Sequence, residues 1–517
     1  MNMQDNTTLG PTTYPKRHLF LDIDNVVEWT PGIFQNFTKP DRVETSGLEC
    51  GPPGSWDARV SANWGSVLYD EGKFRNWSCC MPGISSATEN CDIWWTGYSE
   101  SDDGIHWRKP DLKLVEQKRW PGNNLMKLPG CVMSVVRPLP GAGFKFLALT
   151  ILTPDAPTHD MEIDIHGDPF KGCGTYLFGS DDGLHWTQIS KRPMVQHGDW
   201  ACLHVDHARQ RYLLYHKIGS NHGLTSRRSM IVLESKDAIH WEGYHGTHQW
   251  HEAFVTDDYD DLIAMQHGGR ISEFYCHTLH QVGTLYLAAQ TLYIAGLPLR
   301  QGAGQNAFAC RSHIRMAFSH DGIVWRHPRG RPVFVEPAQP GEFGAGHMIT
   351  GSNILEHGDD MWLFCRGEQN NHGYGITTNF SIDPDIPWDA HERTVRVFVA
   401  KFKRDRFASL AANQRSCFDV EIGPPQGDTL TINAQTRHGG SIRVALAEQQ
   451  LPFHLYPRKS DSLPGFSFKD CEPIRGDTVA APVRFRKKKM ADLPKDKTLI
   501  LRFEVACGEV FGYEWSS

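Results

Sequence analysis

A seven-residue phrase recurs four times along the chain. It reads SDDGIHW at Ser101–Trp107, SDDGLHW at Ser180–Trp186, SKDAIHW at Ser235–Trp241 and SHDGIVW at Ser319–Trp325. The starts are separated by 79, 55 and 84 residues, a mean of about 73. Recurrence at such a period implies a repeated structural unit whose copies stack on one another. Short β-branched and aromatic runs precede each copy, such as KFRNWSCC and DIWWTGYSE before the first and RYLLYHK and SMIVLES before the third. Turn residues separate these runs, as strands require. Three strands, the turn and one further strand make a four-stranded antiparallel blade of a β-propeller.

A fifth group, HMITGSNILEHG, DMWLFCRG and YGITTNF, keeps the strands without the turn. Residues 18–401 then hold five units of the observed period, which predicts a five-bladed β-propeller. The turn itself reads as structural. Asp103 suits acceptance of backbone N–H bonds, Gly104 suits a left-handed turn position, and Trp107 is expected between blades. The third copy keeps Asp237 and Trp241 but carries Ala238 in place of glycine. From residue 402 the texture changes to alternating strands joined by GD, GG and PKDK turns, which predicts a β-sandwich over 402–517. Residues 1–17 read as a tail. The fold class is all-β.

Composition narrows the functional classes. A formal net charge of −7 with 22% charged residues does not describe a nucleic-acid surface. The basic run RFRKKK, Arg484–Lys489, reads as a solvated turn. No stretch approaches the roughly 20 apolar residues of a membrane span. The first residues lack the apolar core of a signal peptide, so a cytoplasmic location is expected. Thirteen scattered cysteines without a CxxC argue against a disulfide framework or a cysteine zinc site. Sixteen tryptophans suit a sugar-stacking cleft as well as a core.

The repeated SxDGxxW turns resemble those of five-bladed β-propeller glycoside hydrolases. These include fructosidases and arabinanase-like enzymes with a C-terminal β-sandwich. HLFLDIDNVVE, GSVLYDEGKFRNW, SDDGIHWRKPDL, RMAFSHDGIVWRHP, DRFASLAA and ILRFEVACGEVFGYEW extend the resemblance over nearly the whole chain, to bacterial glycosyl hydrolases with a fructosidase-like N-terminal domain. The fructosidase signatures NDPNG and ECP are absent, which argues against a fructan. The resemblance implies a glycoside hydrolase, exo-acting or directed at oligosaccharides, with a pair of carboxylates at the propeller mouth.

Glycoside hydrolysis needs one carboxyl group to protonate the leaving oxygen and another to activate water or attack the anomeric carbon. In a propeller, residues at the starts of the innermost strands converge at one mouth. Asp22 and Asp24 share a face of FLDIDN and resemble the acidic motif that opens the first blade in the related hydrolases. Asp57, flanked by Trp56 and Trp64, precedes the innermost strand of the first blade. Asp199 and Trp200 stand before that of the third. Glu273 opens that of the fourth among Arg270 and Tyr275. Glu368 follows a strand of the fifth, with Arg366 and His372 near it in sequence, and His347 starts that blade. In the related proteins an acidic residue precedes this last strand; here Gly344 stands at its place, with Glu342 as the nearest acid.

Asp22, Asp24, Asp57, Asp199, Glu273 and Glu368 are the catalytic candidates. Trp56, Trp64, Trp200, Arg270, Tyr275, His347, Arg366 and His372 are the sugar-binding ones. No cofactor is expected. The insertion at 154–170 carries Asp160, Glu162, Asp164, His166 and Asp168, which offer ligands for a divalent cation, although a solvated loop is the preferred reading. The expected partner is a carbohydrate, with no nucleic acid or membrane and with homo-oligomerisation left open. Two alternatives remain. A glycoside phosphorylase of similar fold would need a phosphate pocket such as His222, Arg227 and Arg228, and a non-catalytic carbohydrate-binding propeller would bring no carboxylates together. A six-bladed sialidase fits the spacing less well.

Overall fold

A computed structural model describes the chain except residues 1–13, 53, 59, 63–64, 83–93, 155, 165, 167–170, 197, 223–224, 244–250, 296–309, 373–394 and 450–460. The described residues are almost entirely strands and turns, with one α-helix at Asp258–Gln266. Contacts divide the chain into two units. The larger comprises residues 39–281 and 286–402, and the smaller comprises 1–38, 282–285 and 403–517.

The larger unit contains consecutive antiparallel groups of strands. The first joins Val60–Ala62 and Val67–Asp70 to Lys73–Met81, followed by Trp95–Ser101 and Trp107–Arg108. The second runs Cys131–Val136, Phe146–Leu152, Gly174–Ser180, Thr187–Gln188. The third runs Ala201–Asp206, Arg211–His222, Thr225–Ser235, His251–Phe254. The fourth runs Ile271–Val282, Leu285–Ala295, Cys310–Ser319, Trp325–Arg326, and the fifth runs His347–His357, Asp360–Glu368, Val395–Lys403. These last two groups touch through one parallel pairing, Leu279 with Asn353. Strands such as Phe146–Leu152 and Leu285–Ala295 are buried along their whole length, so they read as continuous apolar runs rather than alternating ones.

Hydrogen bonds between the first strands lead from group to group and return. Ser66 Oγ accepts from Val135 N at 2.7 Å, and Ser134 Oγ accepts from Leu203 N at 3.0 Å. Thr278 Oγ1 donates to Gly351 O at 2.6 Å, and Ser352 N donates to Gly65 O at 3.0 Å. Aromatic contact links the third and fourth groups, with the Trp200 and His277 rings 4.6 Å apart. This is the β-propeller expected from the repeat.

Three of the repeated turns clip their group onto a neighbouring one. Within the first turn, Asp103 Oδ1 accepts from Ile105 N and His106 N at 2.8 Å each, and Trp107 Nε1 donates to Gly104 O at 2.9 Å. The second turn receives Trp77 Nε1 on Gly183 O at 2.7 Å and Arg75 on Asp182 O at 2.6 Å, both from the first group. The fourth turn receives the Tyr215 hydroxyl on Gly322 O, from the third group. The first turn packs Trp107 against Phe364 of the fifth group, with ring centroids 5.8 Å apart. Glycine is needed in this turn for two reasons. At Gly183 φ is +75°, and an added Cβ would lie 2.8 Å from the Trp77 ring. Ala238, at φ +64°, adopts the same left-handed geometry with a side chain.

The expected strand YGITTNF of the fifth group lies outside the described residues, and one sequence expectation meets a different pairing. The outer strand of the fifth group is Asp41–Glu44, which pairs antiparallel with Val395–Lys403. The strands Arg17–Leu19, Val26–Trp29 and Ile33–Phe37, expected to open the propeller, belong instead to the smaller unit. There they pair with Leu499–Ser516, Ser416–Gly423 and Ala408–Ala412 respectively. Their backbone partners lie at the far end of the chain, which no local pattern discloses. The smaller unit is one eight-stranded antiparallel sheet. Its long strands Thr429–Glu448 and Leu499–Ser516 change register twice along their pairing, which lets a single sheet wrap a core of Phe20, Phe418, Phe503, Leu430 and Trp515.

Candidate active site

The first strands of the third, fourth and fifth groups begin at the same end at which the second strands finish, because each pair is an antiparallel hairpin. At that end the described structure gathers Asp199, Lys217, Arg228, Glu273, Tyr275, Tyr293, Ser312, His347, Arg366, Glu368 and His372.

Asp199 is placed by the turn before Ala201–Asp206. Gly198, at φ +82°, lets this turn lie on the neighbouring strand, where a Cβ would stand 2.8 Å from Lys217 O. Lys217 Nζ then reaches Asp199 Oδ1 at 2.7 Å, with the lysine side chain 3% exposed and the aspartate side chain 47% exposed. Burial pushes the Asp199 carboxyl up, but the Lys217 charge and hydrogen bond, joined by Arg228, outweigh it and hold the group below the ordinary value. Burial likewise pulls the Lys217 ammonium down, against the pull of Asp199.

The Lys217 ammonium also lies 3.9 Å from the centre of the Tyr275 ring, a cation–π contact. Tyr275 stands two residues beyond Glu273 on one strand, so the two share a face. Glu273 is 1% exposed, and its Oε2 accepts from Arg228 at 2.6 Å. Its Oε1 is buried without a hydrogen-bond partner among the described residues. An orphaned carboxylate oxygen is costly unless a ligand or water meets it. Arg228 also stacks at 5.0 Å over Tyr293 and 5.4 Å over Tyr275.

Tyr275 and Tyr293 stack on each other at 5.3 Å and hold His372 at both nitrogens, through hydroxyl contacts of 2.8 Å to Nε2 and 3.1 Å to Nδ1. His347 meets His372 edge-on at 4.9 Å. Ser312 Oγ donates to Met348 O at 2.8 Å, so the 2.9 Å contact with His347 makes Nδ1 the donor. That leaves His347 Nε2 a buried acceptor with no partner among the described residues. Burial, together with His372 and the arginines, holds this imidazole well below its ordinary value, so it is neutral at pH 7. Arg366 forms an ion pair with Glu368, which pairs in register with His347. Tyr275 lies within electrostatic reach of Asp199, Arg228, Arg366 and Glu368, and its phenol is pushed far up by burial first and by the two acids.

Of the sequence candidates, Asp199, Glu273, Glu368, Tyr275, His347, Arg366 and His372 therefore converge. Others do not join them. Asp22 and Asp24 belong to the smaller unit, where Asp22 Oδ1 accepts from Asp24 N at 2.9 Å. Asp57 is engaged by Lys109 at 2.6 Å and Ser55 at 2.8 Å. Trp56 donates to Asn124 at 2.6 Å and packs with the Trp120 cluster. Trp200 is buried in the core, and Arg270 is exposed. Trp64 and Asp168 lie outside the described residues, as does the His222 side chain. Arg227 is held bidentately by Asp261, while its neighbour Arg228 enters the cluster. In the 154–170 insertion, Asp160, Glu162 and Asp164 pair with Lys127, Lys191 and Arg192, in keeping with a solvated loop. Glu342 caps an exposed turn.

Lys217, Tyr293 and Ser312 were not singled out from the sequence. Lys217 had a signal, a lone charge within the apolar run RYLLYHKIG, where a buried lysine demands an acidic partner. Tyr293 and Ser312 had none.

No family model and no curated protein matches the chain. Solved structures similar to it include a glycoside hydrolase at 13% identity, covering 69% of this chain and 92% of the other, with a TM-score of 0.42. A β-fructofuranosidase of Bombyx mori is 13% identical, with 96% of each chain covered and a TM-score of 0.37. A β-1,2-mannobiose phosphorylase from Listeria innocua is 10% identical, covering 72% of this chain and 96% of the other, with a TM-score of 0.41.

Proposed function

We propose that the chain is a glycoside hydrolase that cleaves an oligosaccharide or glycoside at the Asp199–Glu273–Glu368 cluster. The observation that carries this reading is the contrast between two of its acids. Asp199 is half-exposed and held ionised by Lys217, as a base or nucleophile must be. Glu273 is buried with one oxygen on Arg228 and, among the described residues, the other without a partner, so that oxygen is the one left to meet a substrate. Environments that separate two carboxyl groups in this way are how acid and base roles are divided in glycosidases. The bare His347 Nε2 would accept a sugar hydroxyl.

Phosphorolysis is the second reading, favoured by the gathering of Lys217, Arg228 and Arg366. Each of these cations already faces a carboxylate, in the pairs with Asp199, Glu273 and Glu368. That balance leaves none of the three uncommitted for an added phosphate.

The test is a panel of aryl glycosides and oligosaccharides, with and without phosphate, on wild type, Asp199→Asn and Glu273→Gln. The expected result is phosphate-independent turnover that falls at least about 100-fold in each variant. Unchanged turnover in both variants sinks the residue assignment. Dependence on phosphate moves the reading to a phosphorylase, and no turnover on any substrate moves it to a binding module.

A further inference from the structure

We propose that the exposed basic run Arg484–Lys489 of the smaller unit is a binding surface for an acidic polysaccharide. A block of like charges ordinarily repels itself into disorder. Here the block is pinned. Val483, Phe485 and Met490 are buried in the core of the sheet, while Arg484, Arg486, Lys487, Lys488 and Lys489 are exposed. The backbone is tied on both sides, with Val483 N donating to Leu430 O, Glu472 N to Arg484 O and Arg486 N to Asp470 O, each at 2.9 Å.

This anchoring orders the cations. Arg484 and Arg486 flank the inward Phe485, and both are exposed. The stem of Lys488 lies over Gly465, where Cγ would stand 2.7 Å from an added Cβ. Three acidic residues border the stretch. Glu472 and Asp470 are bonded to Arg484 and Arg486 through the backbone, and Asp492 accepts from Lys489 N at 3.0 Å. Five cations against three acids leave a positive surface on a chain whose net charge is −7.

The chemistry of the ligand follows from what accompanies the charge. Guanidinium and ammonium groups set along a pinned stretch suit carboxylates or sulfates carried at intervals on an extended chain. The apolar residues of the run point inward, so it offers no wedge to a lipid bilayer. It also has no outward aromatic on which a base would stack. The choice of a glycan among polyanions rests on the proposed function; the charged surface itself does not.

The experiment measures retention of the full chain on immobilised heparin and polygalacturonate, with dextran as the neutral control. Variants are Arg486→Ser/Lys487→Ser/Lys488→Ser and, as a control, Lys495→Ser/Lys497→Ser, whose lysines are paired with Asp428 and Glu448. Duplex DNA and vesicles containing phosphatidylserine are the competing ligands. Expected is retention on both acidic polysaccharides that weakens steeply with salt. Affinity should drop at least tenfold in the triple variant at unchanged Tm, and the control should behave as wild type. Absence of retention, retention by the triple variant equal to wild type, or tighter binding to DNA or vesicles overturns the proposal. Retention is read without turnover, so its failure and a failure of the hydrolase reading are separate results.

Discussion

The guanidinium of Arg228 and the carboxylate of Glu273 meet at 2.6 Å, with the carboxylate 1% exposed and its second oxygen without a partner among the described residues. Burial lowers the arginine's hold on its proton, but Glu273 and the two tyrosines more than restore it, so Arg228 stays charged. Removing one charge from such a pair leaves the other stranded. Glu273→Gln should therefore cost about 3–5 kcal/mol, read as a lower urea midpoint, while the double replacement Arg228→Met/Glu273→Leu recovers most of that loss. A Gln variant as stable as wild type would contradict the buried pair.

Lys217 governs the ionisation of Asp199. Lys217→Met removes the charge that holds the Asp199 carboxyl low, so the acid limb of the pH–activity profile should move up by about one unit or more. The lysine has its own signature. Its pKa is depressed in the fold, so the unfolded chain binds the extra proton as pH climbs from the folded value toward about 10.4. Wild-type stability should gain across that window, and the Met variant should lack the gain. Urea midpoints measured from pH 7 to 10 check this.

The turn aspartates give the same sign at the acid end of the pH range. The Asp103, Asp182 and Asp237 carboxyls all lie well below the ordinary carboxylate range; the His106 side chain and N–H lower Asp103, and the His185 and His240 contacts outweigh burial at the other two. Their stabilisation is complete above the unfolded value of about 3.9 and drains away as pH falls through the folded values. Asp182→Ala should cost about 1–2 kcal/mol at pH 7 and flatten the acid-unfolding curve, with kcat unchanged. A large fall in kcat would return the turn to the list of catalytic candidates.

Gly183→Ala forces a Cβ to 2.8 Å from the Trp77 ring at φ +75°, and should lower stability by about 1–3 kcal/mol. Ala238→Gly trades relief of a strained backbone against a lost buried methyl, so its Tm should stay close to wild type. Differential scanning calorimetry of the two variants reads the difference.

What the sequence disclosed was what depends on neighbours in the chain. The SxDGxxW turn is legible because Ser101, Asp103, Gly104 and Trp107 bond to one another within seven residues. Glu273 and Tyr275 are legible as a pair because strand alternation puts them on one face. Asp57 had the same credentials as Glu273, an acid just before a first strand. Its carboxylate is nevertheless committed to Lys109, a partner that only the fold supplies. Asp22 and Asp24 misled for a related reason, since they lie in the turn after Arg17–Leu19, a strand that pairs with residues 512–514 in a register the local pattern does not carry. Lys217 shows the remaining gap. The residue type was visible, but the identity of its acid was not.

The outer strand Asp41–Glu44 bears on how the chain is made. Glu44 pairs with Phe398, about 350 residues later. At ribosomal speeds of about 5–20 residues per second, the early strand waits roughly 20–70 s for its partner to emerge. Through that interval the earlier groups form while the last group lacks its edge. Arg17–Leu19 waits longer still, for Gly512–Glu514. Both units thus hold their opening segments as unpaired strands until late in synthesis, the state in which strand edges are most open to foreign pairing.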